Sequence, residues 1–258
     1  MTDETEPSGQ YVQSLARGLS VIRAFGRERP SMTLSEIAEV TGLTRATARR
    51  FLLTLSELGY VRADGRLFAL TPRVLELGFS YLSGLGLPEI VGPHLESLSK
   101  QLNESASASV LDDGDIVYIA RAAARRIMTV SITVGTRFPA HATSMGRVLL
   151  AGLGQDELDS YLASIERPAF TERTVVDSTA LRHTLAQVRE QGWALVDQEL
   201  EPGLRSVAAP LRGSTGAVVA AINVSTSTST ASLERISDEY RPALLATAAS
   251  ISASLSHL

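Results

Sequence analysis

Cysteine is absent from this chain of 258 residues. Its absence excludes a disulfide framework and any thiolate metal site, and fits a reducing compartment. No apolar run approaches the roughly 20 residues of a membrane-spanning helix, and the opening MTDETEPSGQ is acidic where a secretory signal is basic. A soluble, cytoplasmic protein with no membrane partner is expected. Histidine is scarce: His94, His141, His183 and His257 are scattered, without HxxxH or HExxH spacing, so no metal site is expected. Asp112-Asp113-Gly114-Asp115 lacks the ligand series and closing glutamate of a calcium loop and reads as a hairpin turn. Neither Ser144 nor Ser206 lies in a GxSxG context, and no nucleophile stands beside a base. No catalytic residue and no cofactor follow from these patterns.

What is present is a segregation of charge. The net charge is −4, yet the segment from Tyr11 to Gly84 carries ten arginines against six carboxylates, which gives +4. The first ten residues hold −3 and the remainder −5. A polyanion partner is thereby suggested for one segment alone. All ten cations in that segment are arginine, whose fork suits phosphate and guanine. With 44% apolar residues, the chain can build real cores, and its length favours two domains of about 100–150 residues each.

Leu15, Leu19, Ile22 and Phe25 recur at helical spacing, so a first helix is expected over residues 14 to 25, capped by Ser14. Thr33-Leu-Ser-Glu36 has the capping-box form and opens a second helix that runs to about Val40, with Gly42 ending it. Thr44 caps a third, in which Ala48, Phe51, Leu52 and Leu55 share one side and Ala46, Arg49 and Arg50 the other, flanked by Arg45 and Thr47. Arginines opposite an apolar stripe can be a plain solvated face. Here a basic hairpin follows, VRADGRLFAL about Asp64-Gly65, with Arg62 and Arg66 flanking its tip. Helix, helix, turn, helix and basic hairpin is the order of a winged helix-turn-helix, whose recognition helix reads base edges. The candidate DNA-binding set is Thr44, Arg45, Thr47, Arg49 and Arg50 with Arg62, Arg66 and Arg17. The segment from Thr71 to Gly84 begins with a first-turn proline and reads as a linker helix whose apolar residues need a second subunit; Gly84-Leu-Gly-Leu-Pro88 marks a boundary.

Beyond it, residues 88 to 103 read as a helix, SASASVLDDGDIVYIARA as two strands about Asp113-Gly114, and MTVSITVG as a third strand. TRFPAHATSMGRVLLAGL reads as a loop leading into a helix capped by Thr143 or Ser144. Two further helical stretches, GQDELDSYLAS and STALRHTLAQVREQG, precede strands at WALVDQEL, RSVAAPLRG and AVVAAINVS and a last helix over residues 232 to 255. This grouping suggests an α+β domain with an antiparallel sheet. His141-Ala-Thr-Ser-Met-Gly146 sets small polar residues at a helix start, where free amides attract an anion such as a carboxylate. Ordinary capping is the alternative.

These residues together resemble the IclR family of bacterial transcription regulators. The likeness spans residues 11 to 255, through SLARGLSVIRAF, LSEIAEVTGLTRATARRFLLTLSELGYV, TPRVLELG, PAHATSMGRVLLA and GLRSVAAPLRG. It implies a winged helix-turn-helix over residues 11–71, a linker helix over 72–86 that mediates dimerisation, and a GAF-like effector-binding domain over 87–258. The implied partners are a double-stranded DNA operator, a small carboxylate effector, and a second copy of the chain in a homodimer or a dimer of dimers. QSLARGLSVIRAF and GWALVDQELEPGLRS are similar to the branch that controls protocatechuate, 4-hydroxybenzoate and other β-ketoadipate pathway genes. Family pocket positions fall on the segment from His141 to Arg147 and on strands near Leu204 to Ala208 and Ala220 to Val224. They imply an effector set of His141, Thr143, Ser144, Met145, Gly146, Leu204, Arg205 and Ser206, with Arg121 as counter-charge. Ser206 stands where many members carry a cysteine, so arguments about that cysteine do not transfer.

Two other readings stay open at this point. The C-terminal domain could serve oligomerisation alone, which an empty, leucine-filled pocket would support. An enzyme with a protein-binding N-terminal unit is the third, against which the missing nucleophile and base weigh.

Overall fold

The computed structural model describes residues 11–26, 28–77, 86–124 and 132–256. The chain forms two compact units, one up to Tyr81 and the other from Leu82 onward.

In the first unit, α1 (Gln13–Ala24) precedes a short strand β1 (Ser31–Thr33), α2 (Leu34–Thr41) and α3 (Arg45–Glu57). A hairpin of β2 (Val61–Asp64) and β3 (Leu67–Leu70) follows, and β1 adds to it in the order β1-β3-β2. The capping box forms as the sequence implies: Glu36 accepts from the Thr33 amide at 2.7 Å, and Thr33 Oγ1 accepts from the Glu36 amide at 3.4 Å. Two otherwise orphaned donors are thus satisfied, an arrangement worth about 1 kcal/mol. Gly42 ends α2 at φ +66°, a conformation that penalises any side chain. Val21, Phe25, Ile37, Ala38, Ala48, Leu52 and Leu55 close one core with Met32 and Val61.

Three expectations need correction here. Ser14 lies inside α1, whose start at Val12 has no side-chain cap, and Leu15 and Leu19 are exposed while Val21 is buried. The buried face is rotated because Val21, Ile22 and Phe25 suffice to meet α2 and α3. Strand β1 is too short to show periodicity, and the hairpin tip lies at Gly65-Arg66, since Asp64 still pairs with Leu67. A 3₁₀ turn over Pro72–Val74 opens the region expected to be the linker and residues 75–77 continue as helix; its residues 78–85 lie outside those described.

The second unit is built on a six-stranded antiparallel sheet in the order β6-β5-β4-β9-β8-β7, from β4 (Ser105–Asp112), β5 (Asp115–Ala122), β6 (Arg137–Pro139), β7 (Ala194–Asp197), β8 (Leu204–Arg212) and β9 (Val218–Ser227). Against one face lie α4 (Leu87–Leu102) and the last helix, packed on Ala106, Ala108, Val110, Val207, Ala209, Leu211, Ile222 and Val224. Against the other lie α5 (Ser144–Gly152), α6 (Gln155–Ser164) and α7 (Ser178–Gln191), packed on Ile116, Tyr118, Ala208 and Ala221. Both sheet faces are therefore covered, and the two-domain α+β expectation holds. The third strand is β6 at Arg137–Pro139, in the stretch read as a loop: residues 128–131 of the expected strand lie outside those described, and 132–135 are not strand. The last helix is interrupted, as α8 (Leu233–Arg235) widens into a π-helical turn over Ile236–Tyr240 before α9 (Arg241–Leu255). Pro242 lacks an N–H and crowds the carbonyl four residues back, which favours this widening.

Candidate functional site

The basic face of the first unit is set by how α3 starts. Thr44 caps it, its Oγ1 accepting from the Thr47 amide at 3.2 Å and lying 2.9 Å from Thr47 Oγ1. From that start, Ala48, Leu52 and Leu55 turn into the core, which leaves Arg45, Ala46, Arg49 and Arg50 in solvent and Thr47 half-buried. Arg17 on α1, Arg62 on β2 and Arg66 at the hairpin tip are exposed as well. Among the described residues none of these six arginines is in an ion pair, whereas Arg73 nearby is held by Glu76 at 3.4 Å. Uncompensated guanidiniums around a helix start are suited to polyanions.

The second constellation lies where the start of α5 meets the sheet. Serine and alanine alternate along SASASV, and the pleat sends Ser105, Ser107 and Ser109 to the α5 side while Ala106, Ala108 and Val110 face α4 and α9. Register places Arg121 opposite Ser107, Asn223 between Ser107 and Ala208, and Ser225 between Ser105 and Ser206. Ser206 Oγ donates to Ser144 Oγ at 2.7 Å, and Asn223 Nδ2 donates to Ser225 Oγ at 2.9 Å. Ser109 Oγ lies 3.3 Å from the Met145 sulfur. A polar band thus crosses a sheet face whose flanks are apolar. Arg121 is half-buried, donates to Ser105 Oγ at 3.4 Å, and has its pKa lowered by burial, since no carboxylate among the described residues offsets the desolvation. It also borders an open cavity of about 470 Å³ together with Glu96, Ser99 and Asn103.

The expected effector residues divide once placed. Ser144, Met145, Ser206 and Arg121 belong to this band, and Leu204 lies on the same face at the end of β8. Thr143 is a capping residue, with Oγ1 accepting from the Gly146 amide at 3.1 Å. Gly146 permits close approach: a Cβ there would sit 2.1 Å from the Ala140 carbonyl oxygen. His141 is fully buried, but Nε2 contacts the Pro168 carbonyl at 3.0 Å and the ring lies beside Phe170. Arg205 is a correction: alternation along β8 sends it to the face opposite Ser206, where it donates to Asp197 at 2.6 Å and to the Ala231 carbonyl at 3.0 Å. It is bound to a carboxylate and points away from the band.

Sequence reasoning missed Ser105, Ser107, Ser109 and Ser225, and covered Asn223 only within the stretch Ala220 to Val224 without naming it; the serine phase of SASASV was a usable signal for three of these. It also missed the buried pair of Arg147 and Glu199, in hydrogen-bond contact, which fastens α5 to the loop before β8. Arg147 Nε donates to the His141 carbonyl at 3.1 Å, and Glu199 also accepts from the Val175 amide at 3.2 Å. Among the described residues there is no cluster of side chains suited to a metal, and no helix is long and apolar enough to cross a membrane.

Both units have counterparts among known proteins. Residues 14–65 match the IclR helix-turn-helix domain, and residues 79–253 match the bacterial transcriptional regulator IclR C-terminal domain. The chain is 44% identical to the Pca regulon regulatory protein of Pseudomonas putida over 92% of its own length and 81% of that protein's. A transcriptional regulator from Rhodococcus sp. RHA1 superposes with a TM-score of 0.87 at 57% identity, covering 96% of this chain and 99% of that one. An IclR homologue from Microbacterium hydrocarbonoxydans, solved with 4-hydroxybenzoate, superposes with a TM-score of 0.84 at 26% identity over 95% of this chain and 100% of that one. With both of its units matched in order along nearly its full length, the chain belongs to the IclR family of bacterial transcriptional regulators.

Proposed function

We propose that this regulator binds a specific double-stranded DNA site through α3 and the β2–β3 hairpin, and that a small aromatic carboxylate changes that binding. The domains follow as DNA-binding over 11–71, linker over 72–86 and effector-binding over 87–258. The observation that carries the effector reading is the polar band itself. A domain serving oligomerisation alone has no use for five serines, an asparagine and an arginine on one otherwise apolar sheet face, because buried polar groups cost free energy unless satisfied. Serines rather than leucines occupy this band of the sheet face, which favours the effector reading over one of oligomerisation alone. The ligand named for the Microbacterium homologue, 4-hydroxybenzoate, supports an aromatic acid as the class.

In this reading the carboxylate meets the Ser144 and Met145 amides, the first of α5 and so without intrahelical acceptors, beside the Ser144 and Ser206 hydroxyls. Arg121 supplies the cation. The chain acts as a homodimer on a pseudo-palindromic site, since two-fold proteins meet two-fold DNA. A ligand alters DNA affinity to the extent that it prefers one arrangement of the dimer, and a coupling of about 1–3 kcal/mol gives a usable switch.

The test uses the full chain. A site is recovered from random duplexes by repeated selection, and its affinity is then titrated with and without hydroxylated benzoates. A shift of several-fold supports the reading; tight, sequence-selective DNA binding that no carboxylate changes would leave a regulator without this effector.

A further inference from the structure

Asn223 breaks the pattern of the band. It sits in the middle of β9, 4% exposed, flanked across the sheet by Ser107 and Ala208. One side of its amide is used, Nδ2 donating to Ser225 Oγ. Its carbonyl oxygen Oδ1 is buried and has no hydrogen-bond partner among the described residues. A buried amide oxygen without a donor is expensive to maintain, which makes such an atom uncommon and its missing partner informative. Among the serines on this face, Ser206 is turned toward Ser144, Ser109 toward Met145, Ser105 toward Arg121, and Ser225 toward the other end of the same amide.

We infer that Asn223 Oδ1 is a specificity determinant for the effector: it accepts a hydrogen bond from a hydroxyl on the ligand, so that the regulator responds to hydroxylated carboxylic acids and discriminates against their unsubstituted and methylated counterparts. The inference rests on the effector reading above and adds to it a chemical requirement at the end of the ligand away from the carboxylate. Such a site rejects the analogue lacking the donor because Oδ1 is then left buried and unpaired, whereas an apolar pocket distinguishes such a pair weakly. A methyl ether keeps the oxygen but brings no proton, so it faces Oδ1 lone pair to lone pair.

The experiment measures binding of 4-hydroxybenzoate, 3-hydroxybenzoate, benzoate and 4-methoxybenzoate to the full chain by calorimetry, with 3-hydroxyadipate against adipate as an aliphatic pair. At least one hydroxy acid should bind about tenfold or more tightly than both its unsubstituted and its methylated partner. Asn223→Leu should bring the pair to within about twofold of each other by weakening the hydroxy acid, and Asn223→Asp, which keeps an acceptor, should retain the preference for the donor at lower overall affinity. Circular dichroism verifies the fold of each variant, and the ligand series on the parent chain decides the matter even where a variant is unstable. If the acids bind but hydroxylation makes no difference, or if the ether binds best, the role of Asn223 is overturned while the effector site stands. If no acid of either series binds, the effector reading itself fails and this inference with it.

Discussion

Ser206 Oγ donates to Ser144 Oγ at 2.7 Å, joining β8 to the first residue of α5 across 62 positions of sequence. Both side chains are buried, and neither has a charged partner among the described residues. A neutral hydrogen bond of this kind contributes about 1 kcal/mol to stability, which is small enough to remove without unfolding the domain. The contact has a second consequence: it fixes where the Ser144 hydroxyl lies at the helix start proposed to hold a carboxylate.

Ser206→Ala is therefore expected to lower unfolding free energy by about 1 kcal/mol and to weaken acid binding by a larger factor than that loss alone implies. Urea melts and calorimetry on the same variant separate the two effects. Equal binding in parent and variant would remove this pair from the site.

For the DNA surface, Arg49→Ala and Arg50→Ala should each cost about 1–3 kcal/mol in affinity for the selected site and relax preference at one base position. Arg17→Ala, Arg62→Ala and Arg66→Ala should instead weaken binding to all sequences alike and reduce the salt slope by about one each, as for phosphate contacts. Anisotropy titrations at several salt concentrations distinguish these behaviours. Parent-like binding by both α3 variants would mean that another element reads the bases.

Much of the first unit was legible because its signals are local. The capping box of Thr33 and Glu36, the stop at Gly42 and the cap at Thr44 each lie within four residues, and each forms as read. The second unit hid its polar band for a physical reason. Its central strands are covered on both faces, so RSVAAPLRG and AVVAAINVS read as nearly continuous apolar runs, and their phase, which decides whether Arg205 or Ser206 meets α5, is set by pairing rather than by composition. SASASV displayed its phase openly, but that phase had no meaning until β9 and α5 supplied the facing residues. Arg147 and Glu199 are 52 positions apart, and nothing local announces their contact.

That buried pair yields a stability prediction. The Arg147 and Glu199 side chains are 4% and 10% exposed, so removing one partner strands a charge in the interior. Glu199→Gln or Arg147→Met alone should destabilise the second unit by about 3–5 kcal/mol, and the double variant should cost less than the sum of the two. Strict additivity in a double-mutant cycle followed by urea unfolding would show that the two side chains act independently.

The last prediction concerns acid. Burial lowers the pKa of His141 from its ordinary 6.5, and the nearby Arg167 and Arg147 act in the same direction against the hydrogen bond to Pro168. The neutral ring is accordingly the folded form, with Nε2 as donor to the Pro168 carbonyl and Nδ1 left as a buried acceptor without a partner among the described residues. In the unfolded chain the same imidazole takes up a proton near its ordinary pKa, so between the two values the unfolded state binds more protons than the folded one. Stability contributed by the neutral histidine is complete above about pH 6.5 and declines as the pH falls from there toward the lowered folded value. Urea melts of the second unit's transition at pH 8, 7, 6 and 5 should therefore show a loss on acidification that is reduced in His141→Gln, which has no proton to gain. If the variant's stability follows the same pH course as the parent's, His141 is not the group responsible; the arginine-held Asp197, whose pKa lies below its ordinary 3.8, loses its contribution only at still lower pH and would not account for a loss in this range.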